Sequence, residues 1–431
     1  MRRKLNREEV RALKHNLLEL SQVEDDFYFL DSCNLDAPLK EGKYELLVAI
    51  GAVRKLSQFE TNGALDELQH FLMKGKWYFG TLSYELKNDI ENLSSQNVSQ
   101  IACPVITFIE PKTVVSVDKN NVLEVFGDAS ALIEEIFSQT SSETTDERHY
   151  KRNGKDLILD MDRESYLDKV REIHNQILQG NVYEMNLCYS RSLRETEIKR
   201  PHRLFSELIK RSPVPFAALV KCSELHLLCA SPERFLSHSE GVLLSQPIKG
   251  TAPRGKNAQE DLFLKDQLYN SEKERAENVM IVDLVRNDLA KCSKTGSVQV
   301  RELFGIHSYA QVHQMVSSIE AELSEGIEFA DILRAAFPMG SMTGTPKIAA
   351  MELIEELENS QRAWYSGSLG YIEPNGNFDF NVVIRSILYD SKSKNLTFGV
   401  GGAITIDSNP ENEWAETELK ALAIESVLGI D

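Results

Sequence analysis

Residues 399–417 read GVGGAITIDSNPENEWAET. Three glycines lead into an apolar, β-branched run, and a polar turn then delivers Pro410 to the head of a helix reaching about residue 428. The glycines precede a strand and not a helix, so this is no dinucleotide-binding turn. They leave room for backbone to approach a ligand closely at Gly401 and Gly402. In the helix that follows, Glu413 and Glu416 stand three apart and share one face.

The same strand-and-helix alternation extends outward. Strand-like runs lie near 366–372, 381–389 and 396–406, and earlier ones at 182–189, 216–221, 225–230 and 242–246. Helical periodicity covers 271–289 and 346–357, the latter with Pro346 in its first turn. Ser165 is placed to cap a helix carrying Tyr166, Val170, Ile173 and Ile177 on one face and ending at Gly180. Nearer the start, Trp77-Tyr78-Phe79-Gly80 has strand character, and 113–126 reads as a hairpin around Lys119-Asn120-Asn121. No strict βαβ order appears, so the expected class is α+β: two packed, largely antiparallel sheets with helices outside. The polar stretch 138–156 is expected to be a linker or surface loop, dividing an N-terminal part (1–137) from a catalytic part (157–431).

At 431 residues, 42% hydrophobic and 26% charged, the chain can bury a large core without disulfides. Its net charge of −18 argues against nucleic acid and anionic membrane as partners. No apolar run approaches the roughly 20 residues of a membrane span. The basic start leads into charge and not into an apolar signal core. The six cysteines form no CxxC pair and the nine histidines no ligand-spaced cluster. A cytoplasmic protein with reduced thiols is expected.

Four further features carry chemistry. Glu274 and Glu277 repeat the i, i+3 spacing of Glu413 and Glu416. Two such faces meeting in a cleft would suit Mg²⁺, although two solvated acidic faces are the commoner source of this pattern. Residues 338–347, PMGSMTGTPK, offer small residues and backbone N–H groups to an anion, or are an ordinary glycine-rich connection. Lys249 lies between an apolar strand and a Gly/Pro turn. Desolvated, it would lose its proton and become a nucleophile; in water it would be an ordinary turn lysine. Arg385 is a lone charge in an apolar strand and calls for an anionic partner, from the fold or from a ligand.

Taken in order, SPERF (231–235), PIKGTAPRG (247–255), KERAENVMIVDLVRNDL (273–289), FPMGSMTGTPK (337–347), Tyr365-Ser366-Gly367, FNVVIRSI (380–387) and the opening stretch resemble the chorismate-utilising enzyme family. That family includes anthranilate, aminodeoxychorismate, isochorismate and salicylate synthases. The resemblance covers about 160–428, with Gly80-Thr81-Leu82-Ser83-Tyr84-Glu85 as the best match in the variable N-terminal part. It implies Mg²⁺ held by Glu277 and Glu416 with Glu274 and Glu413 in support. It implies Glu233 as the acid protonating a departing hydroxyl. Arg385, Tyr365, Ser341, Thr251 and the Gly401-Gly402 backbone would line the substrate pocket.

The residue before Gly250-Thr251 separates activities within the family, and Lys249 matches the branch that makes 4-amino-4-deoxychorismate. The resemblance thus implies covalent catalysis by Lys249 on chorismate, with ammonia from a separate glutamine amidotransferase subunit. An anthranilate synthase component and a non-catalytic chorismate-binding or scaffolding subunit are the alternatives. Two positions depart from the pattern. Glu184 stands where amino-transferring members have Gln, and isochorismate and salicylate synthases a base lysine. Gln314 stands where anthranilate synthases have His, and neighbouring His313 is no safe substitute. Leu30-Asp31-Ser32 is loosely similar to a region that binds tryptophan in some relatives; an ordinary turn reads as well.

Overall fold

Two long strands, Tyr44–Gln58 and Ile106–Asp118, pair antiparallel along most of their length and tie two sheets together. The register shifts between Ala52 and Arg54, beside Gly51 at a φ of 63°. Such a bulge bends and twists a strand, and glycine takes the left-handed backbone without a Cβ clash. The computed structural model describes residues 2–36, 42–127, 136, 150–151, 156–309 and 312–430. Of the expected 138–156 linker, all but 150, 151 and 156 lies outside the described residues.

From the first half of Tyr44–Gln58 one sheet continues through Asp26–Asp31, Phe216–Cys222, Leu225–Ser231, Ser386–Asp390 and Asn395–Ile404 to Glu184–Leu193. From the first half of Ile106–Asp118 the other runs through Tyr78–Leu82, Ser368–Ile372, Phe378–Val382, Arg234–Ser239 and Val242–Gln246 to Val312–Glu322. Gln299–Ser308 and Ile248–Pro253 both pair with that last strand. Every named pairing is antiparallel. Strands from before residue 138 hydrogen-bond to strands from after 156 in both sheets, so neither sheet belongs to one part of the chain.

Strand residues alternate between two apolar layers. Phe27, Phe29, Val48, Leu219 and Leu228 join the helices Arg163–Leu178, Pro201–Arg211 and Pro410–Val427. Their neighbours Tyr28, Leu47, Ala49, Val220 and Leu227 face the opposite way into a second cluster with Phe79, Ile109 and Leu369 of the other sheet. The second sheet is covered in turn by Glu272–Ala290 and Phe329–Ala336, through Ile281, Val285 and Leu333. Because the strands are buried on both faces, they read as apolar runs and lack polar alternation. The α+β expectation holds. Among the described residues, no helix is long and apolar enough to cross a membrane.

Helix ends differ from expectation in two places. Asp162, not Ser165, caps Arg163–Leu178, its carboxylate accepting from the Ser165 N–H. An acidic side chain at this position also meets the positive end of the helix. Pro346 occupies the N-cap of Lys347–Leu357 and not its first turn. Two further helices lie outside the expected set although their sequences signal them: Pro201–Arg211 starts on a proline and buries Leu204, Phe205 and Leu208, and Ala258–Tyr269 is capped by Asn257.

Candidate active site

Lys249 sits in a bulge of Ile248–Pro253, where the register against Val312–Glu322 shifts between Ile248 and Thr251. Gly250, at a φ of 88°, makes the bulge possible; a Cβ there would lie 2.8 Å from a Glu274 carboxylate oxygen. The bulge turns Lys249 inward, and only 8% of the residue is exposed. Its Nζ lies 2.6 Å from Oε1 of Glu184, which is wholly buried. Burial alone would drive the ammonium to lose its proton. The facing carboxylates of Glu184 and Glu277 outweigh that effect and raise the Lys249 pKa above its usual value. The expectation of a free amine created by desolvation is therefore corrected for this state. The amine is stored charged, because its burial comes with a counter-ion.

Glu233 approaches from the turn ahead of Arg234–Ser239. The guanidinium of Arg234, itself buried, makes a two-pronged contact with Asp379 at 2.8 Å on each side and pins the turn. The backbone carbonyl of Glu233 accepts from the Val382 N–H. Burial pushes the Glu233 carboxyl up to about 7, while the Ser341 hydroxyl and the charges of Lys249 and Arg385 pull the other way. Ser341 is held by Asn186, whose side-chain amide donates to the Ser341 carbonyl at 3.0 Å. Gly344 lets this loop press on the Glu184 strand, since a Cβ there would stand 2.2 Å from the Glu184 carbonyl oxygen. Glu233, Gly340 and Ser341 line one pocket of about 350 Å³ with Pro247 and Asp288. Arg385 has a left-handed φ of 52°, and burial lowers its pKa although Glu233 opposes this. No described side chain forms an ion pair with it, and Glu233 is the carboxylate that acts on it electrostatically.

The acidic pairs stand at the starts of two helices. Glu274 and Glu277 occupy the first turns of Glu272–Ala290; Glu413 and Glu416 occupy those of Pro410–Val427. Lys273 bridges them, 3.8 Å from Glu277 and 3.5 Å from Glu413. Glu416 is exposed and 2.8 Å from Lys420, which holds it below the usual carboxylate range against partial desolvation. Burial, reinforced by Glu274 and Glu184, pushes Glu277 up to about 7 against the pull of Lys249, and its Oε1 is buried without a hydrogen bond. Burial and the charges of Glu416 and Glu413 raise Glu274. Among the described residues, no three His, Cys, Asp or Glu side chains form a ready-made metal cage. The donors are all carboxylate oxygens, they repel one another, and Glu277 Oε1 has no hydrogen bond, only the Lys273 ammonium at 3.8 Å. That chemistry fits a hard cation such as Mg²⁺, which keeps several waters and needs few protein ligands.

The other singled-out residues lie nearby in different settings. A Cβ at Gly402 would make ordinary contact with Glu413 at 3.5 Å, whereas one at Gly401 would strike the Leu187 carbonyl and Cys188, so Gly401 serves strand packing. Tyr365 turns its hydroxyl toward the Cys188 sulfur, 3.8 Å away, and its ring fills the space that Gly399 leaves open. Thr251 is exposed on its strand, opposite Gln314. Gln314 is buried with its Oε1 unpaired. His313 is tied between Ser308 at 2.7 Å and Asp261 at 3.0 Å. Leu30, Asp31 and Ser32 line a separate pocket of about 570 Å³, and Asp31 also pairs with Lys14 at 2.7 Å.

Sequence reading had passed over Lys273 and Lys420, although each stands four from a glutamate of the set, a spacing that predicts pairing on a helix. It also passed over Arg362. That buried guanidinium pairs with Glu358 at 2.6 Å, donates to the carbonyls of Met342 and Asn186, and stacks on Tyr84. It clamps the Ser341 loop to the Glu184 strand from behind, a contact between distant segments that no local spacing announces.

Electrostatic interactions join the charged groups of the site: Glu233 couples to Lys249 and Arg385, and Lys249 couples to Glu274, Glu277 and Glu416 at the two helix starts. The chain belongs to the chorismate-binding enzyme family, whose profile matches residues 26–426. It is 44% identical over 270 residues to the chloroplastic aminodeoxychorismate synthase of Arabidopsis thaliana, covering 62% of this chain and 29% of that one. Aminodeoxychorismate synthase component 1 of Bacillus subtilis is 32% identical over 361 residues, 81% of this chain and 76% of the relative. The chain thus spans about three-tenths of the plant relative's length and about three-quarters of the bacterial one's. In fold it matches the crystal structure of anthranilate synthase component I from Streptococcus pneumoniae TIGR4, with a TM-score of 0.77 at 24% identity over 89% of this chain and 92% of that one.

Proposed function

We propose that this chain is the component I subunit of an aminodeoxychorismate synthase, aminating chorismate at C4 with ammonia supplied by a glutamine amidotransferase subunit. The observation that carries the reading is Lys249, a lysine turned by a bulge into the buried site beside Glu233. Covalent capture suits this geometry. The Lys249 amine adds at C2 of the ring as the C4 hydroxyl leaves, and ammonia then enters at C4 as the lysine departs. Glu233, held near 7, carries a proton in about half of the molecules at neutral pH and donates it to the leaving hydroxyl. Arg385 and Ser341 bind and orient substrate carboxylate and ring. Glu277 and Glu416 would hold Mg²⁺, with Glu274 and Glu413 in support. When bound, the ion supplies positive charge to a substrate carboxylate.

The test is incubation with chorismate, Mg²⁺ and ammonium salt, with products separated by chromatography. 4-Amino-4-deoxychorismate supports the reading. Fluorescent anthranilate, formed without added lyase, would replace it with the anthranilate synthase alternative. Absence of any magnesium-dependent turnover would favour a non-catalytic role.

A further inference from the structure

We propose that Glu184 is the proton acceptor and orienting partner of Lys249, taking the ammonium proton as the amine becomes a nucleophile and returning it when the lysine is released. The inference rests on the covalent-lysine reading above. Its grounds are geometric. Glu184 is wholly buried, and its Oε1 lies 2.6 Å from Nζ. Its Oε2 is also buried and has no hydrogen-bond partner. An ion pair kept for structure satisfies its remaining lone pairs, because an orphaned carboxylate oxygen in a dry site is costly. Here one oxygen grips the amine while the other, among the described residues, has no donor to accept from. The Glu184 backbone is fixed as well: its strand pairs with Thr345 and Gly344, and the glycine allows contact too close for any side chain.

Lys249 is faced by Glu184 from one strand, by Glu277 and Glu274 from the helix Glu272–Ala290, by Glu233 from its turn, and by Glu416 from the last helix. Among the described residues, only Glu184 is in ion-pair contact with it. When substrate excludes water, the neutral amine–carboxylic acid pair gains on the ion pair, since charge separation in a dry site is penalised. The protons then balance. One proton moves from Nζ to Glu184. The N–C2 bond forms as the C4–O bond breaks, and Glu233 supplies the proton that makes the leaving group water. Ammonia forms the C4–N bond as the C2–N bond breaks, releasing Lys249 as a neutral amine. Glu184 returns its proton to that amine, and the new C4 ammonium reprotonates Glu233.

The experiment compares wild type, Glu184→Gln and Glu184→Asp in two assays. The first is competitive acetylation of Lys249 against pH, followed by peptide mass spectrometry, which reads the amine directly and needs no turnover. The second is ammonia-dependent amination of chorismate. Glu184→Gln should lower the acetylation midpoint by about one pH unit, so that Lys249 is labelled roughly tenfold faster at fixed pH below it. It should also lower kcat about tenfold or more with the KM for chorismate nearly unchanged, as loss of a general base does. Glu184→Asp should recover part of both, and it tests the same point if the Gln variant folds poorly. An unchanged midpoint, or a shifted midpoint with unchanged kcat, overturns the proposal. Failure of the wild type to aminate chorismate would instead remove the covalent-lysine reading, while the labelling result still reports the pairing.

Discussion

Replacing Glu233 by Gln should abolish turnover and, above neutral pH, stabilise the protein. The carboxyl is nearly inaccessible, and burial lifts it from 4.5 to about 7. At about 1.4 kcal/mol per pH unit, that separation amounts to about 3 kcal/mol. The sign follows from proton counting. Between pH 4.5 and 7 the unfolded chain has released a proton that the folded chain keeps, so stability falls as pH rises. The penalty is absent below pH 4.5 and fully present above about 7. Gln has nearly the same shape and never ionises, so the variant lacks this slope. Urea unfolding of both proteins should show the stability of Glu233→Gln, relative to wild type, growing by about 2.5 kcal/mol between pH 5 and pH 8. Glu277 titrates in the same range but is common to both proteins and cancels in the difference. Function would exploit the same penalty. At pH 7 an unshifted carboxyl is protonated in about one molecule in three hundred, against about half here, a gain of roughly 150-fold in the acid form. Parallel stability curves would refute the burial argument, and wild-type turnover in the Gln variant would refute the acid role.

Lys249→Ala should lower amination by about a thousandfold, read by product chromatography, and destabilise the fold by about 3 kcal/mol by leaving the buried Glu184 without its partner. The double variant Lys249→Ala, Glu184→Gln should regain much of that stability in urea, and strict additivity would contradict the pairing. Glu277→Gln and Glu416→Gln should each weaken Mg²⁺ binding at least tenfold by calorimetry, with a matching loss of magnesium-dependent turnover. Unaltered affinity in either variant removes that residue from the ligand set. Gly344→Ala would place a Cβ 2.2 Å from the Glu184 carbonyl oxygen at a φ of 149°. It should lower the melting temperature by several degrees or prevent folding, and an unperturbed melting curve would show that the loop and strand are not locked as described.

Much of this molecule is legible in its sequence because the signals are local. Helix starts at Ser271 and Asn409 follow from side chains capping their own first turn. The pairing of Glu274 with Glu277 and of Glu413 with Glu416 on shared faces follows from helical geometry alone. The glycines at 250 and 344 stand where backbone must turn or touch. The motifs therefore determined the family, the α+β class and the candidate residues. The tertiary structure decided the proton state of those residues. Sequence places Lys249 in an apolar neighbourhood, which by itself would free the amine. Only the fold brings Glu184, 65 residues earlier, within 2.6 Å and keeps it charged. Likewise Glu233 is one acid among 66 until burial isolates it. Dielectric environment and the distance between charges are set by long-range packing, and no local pattern of residues encodes either.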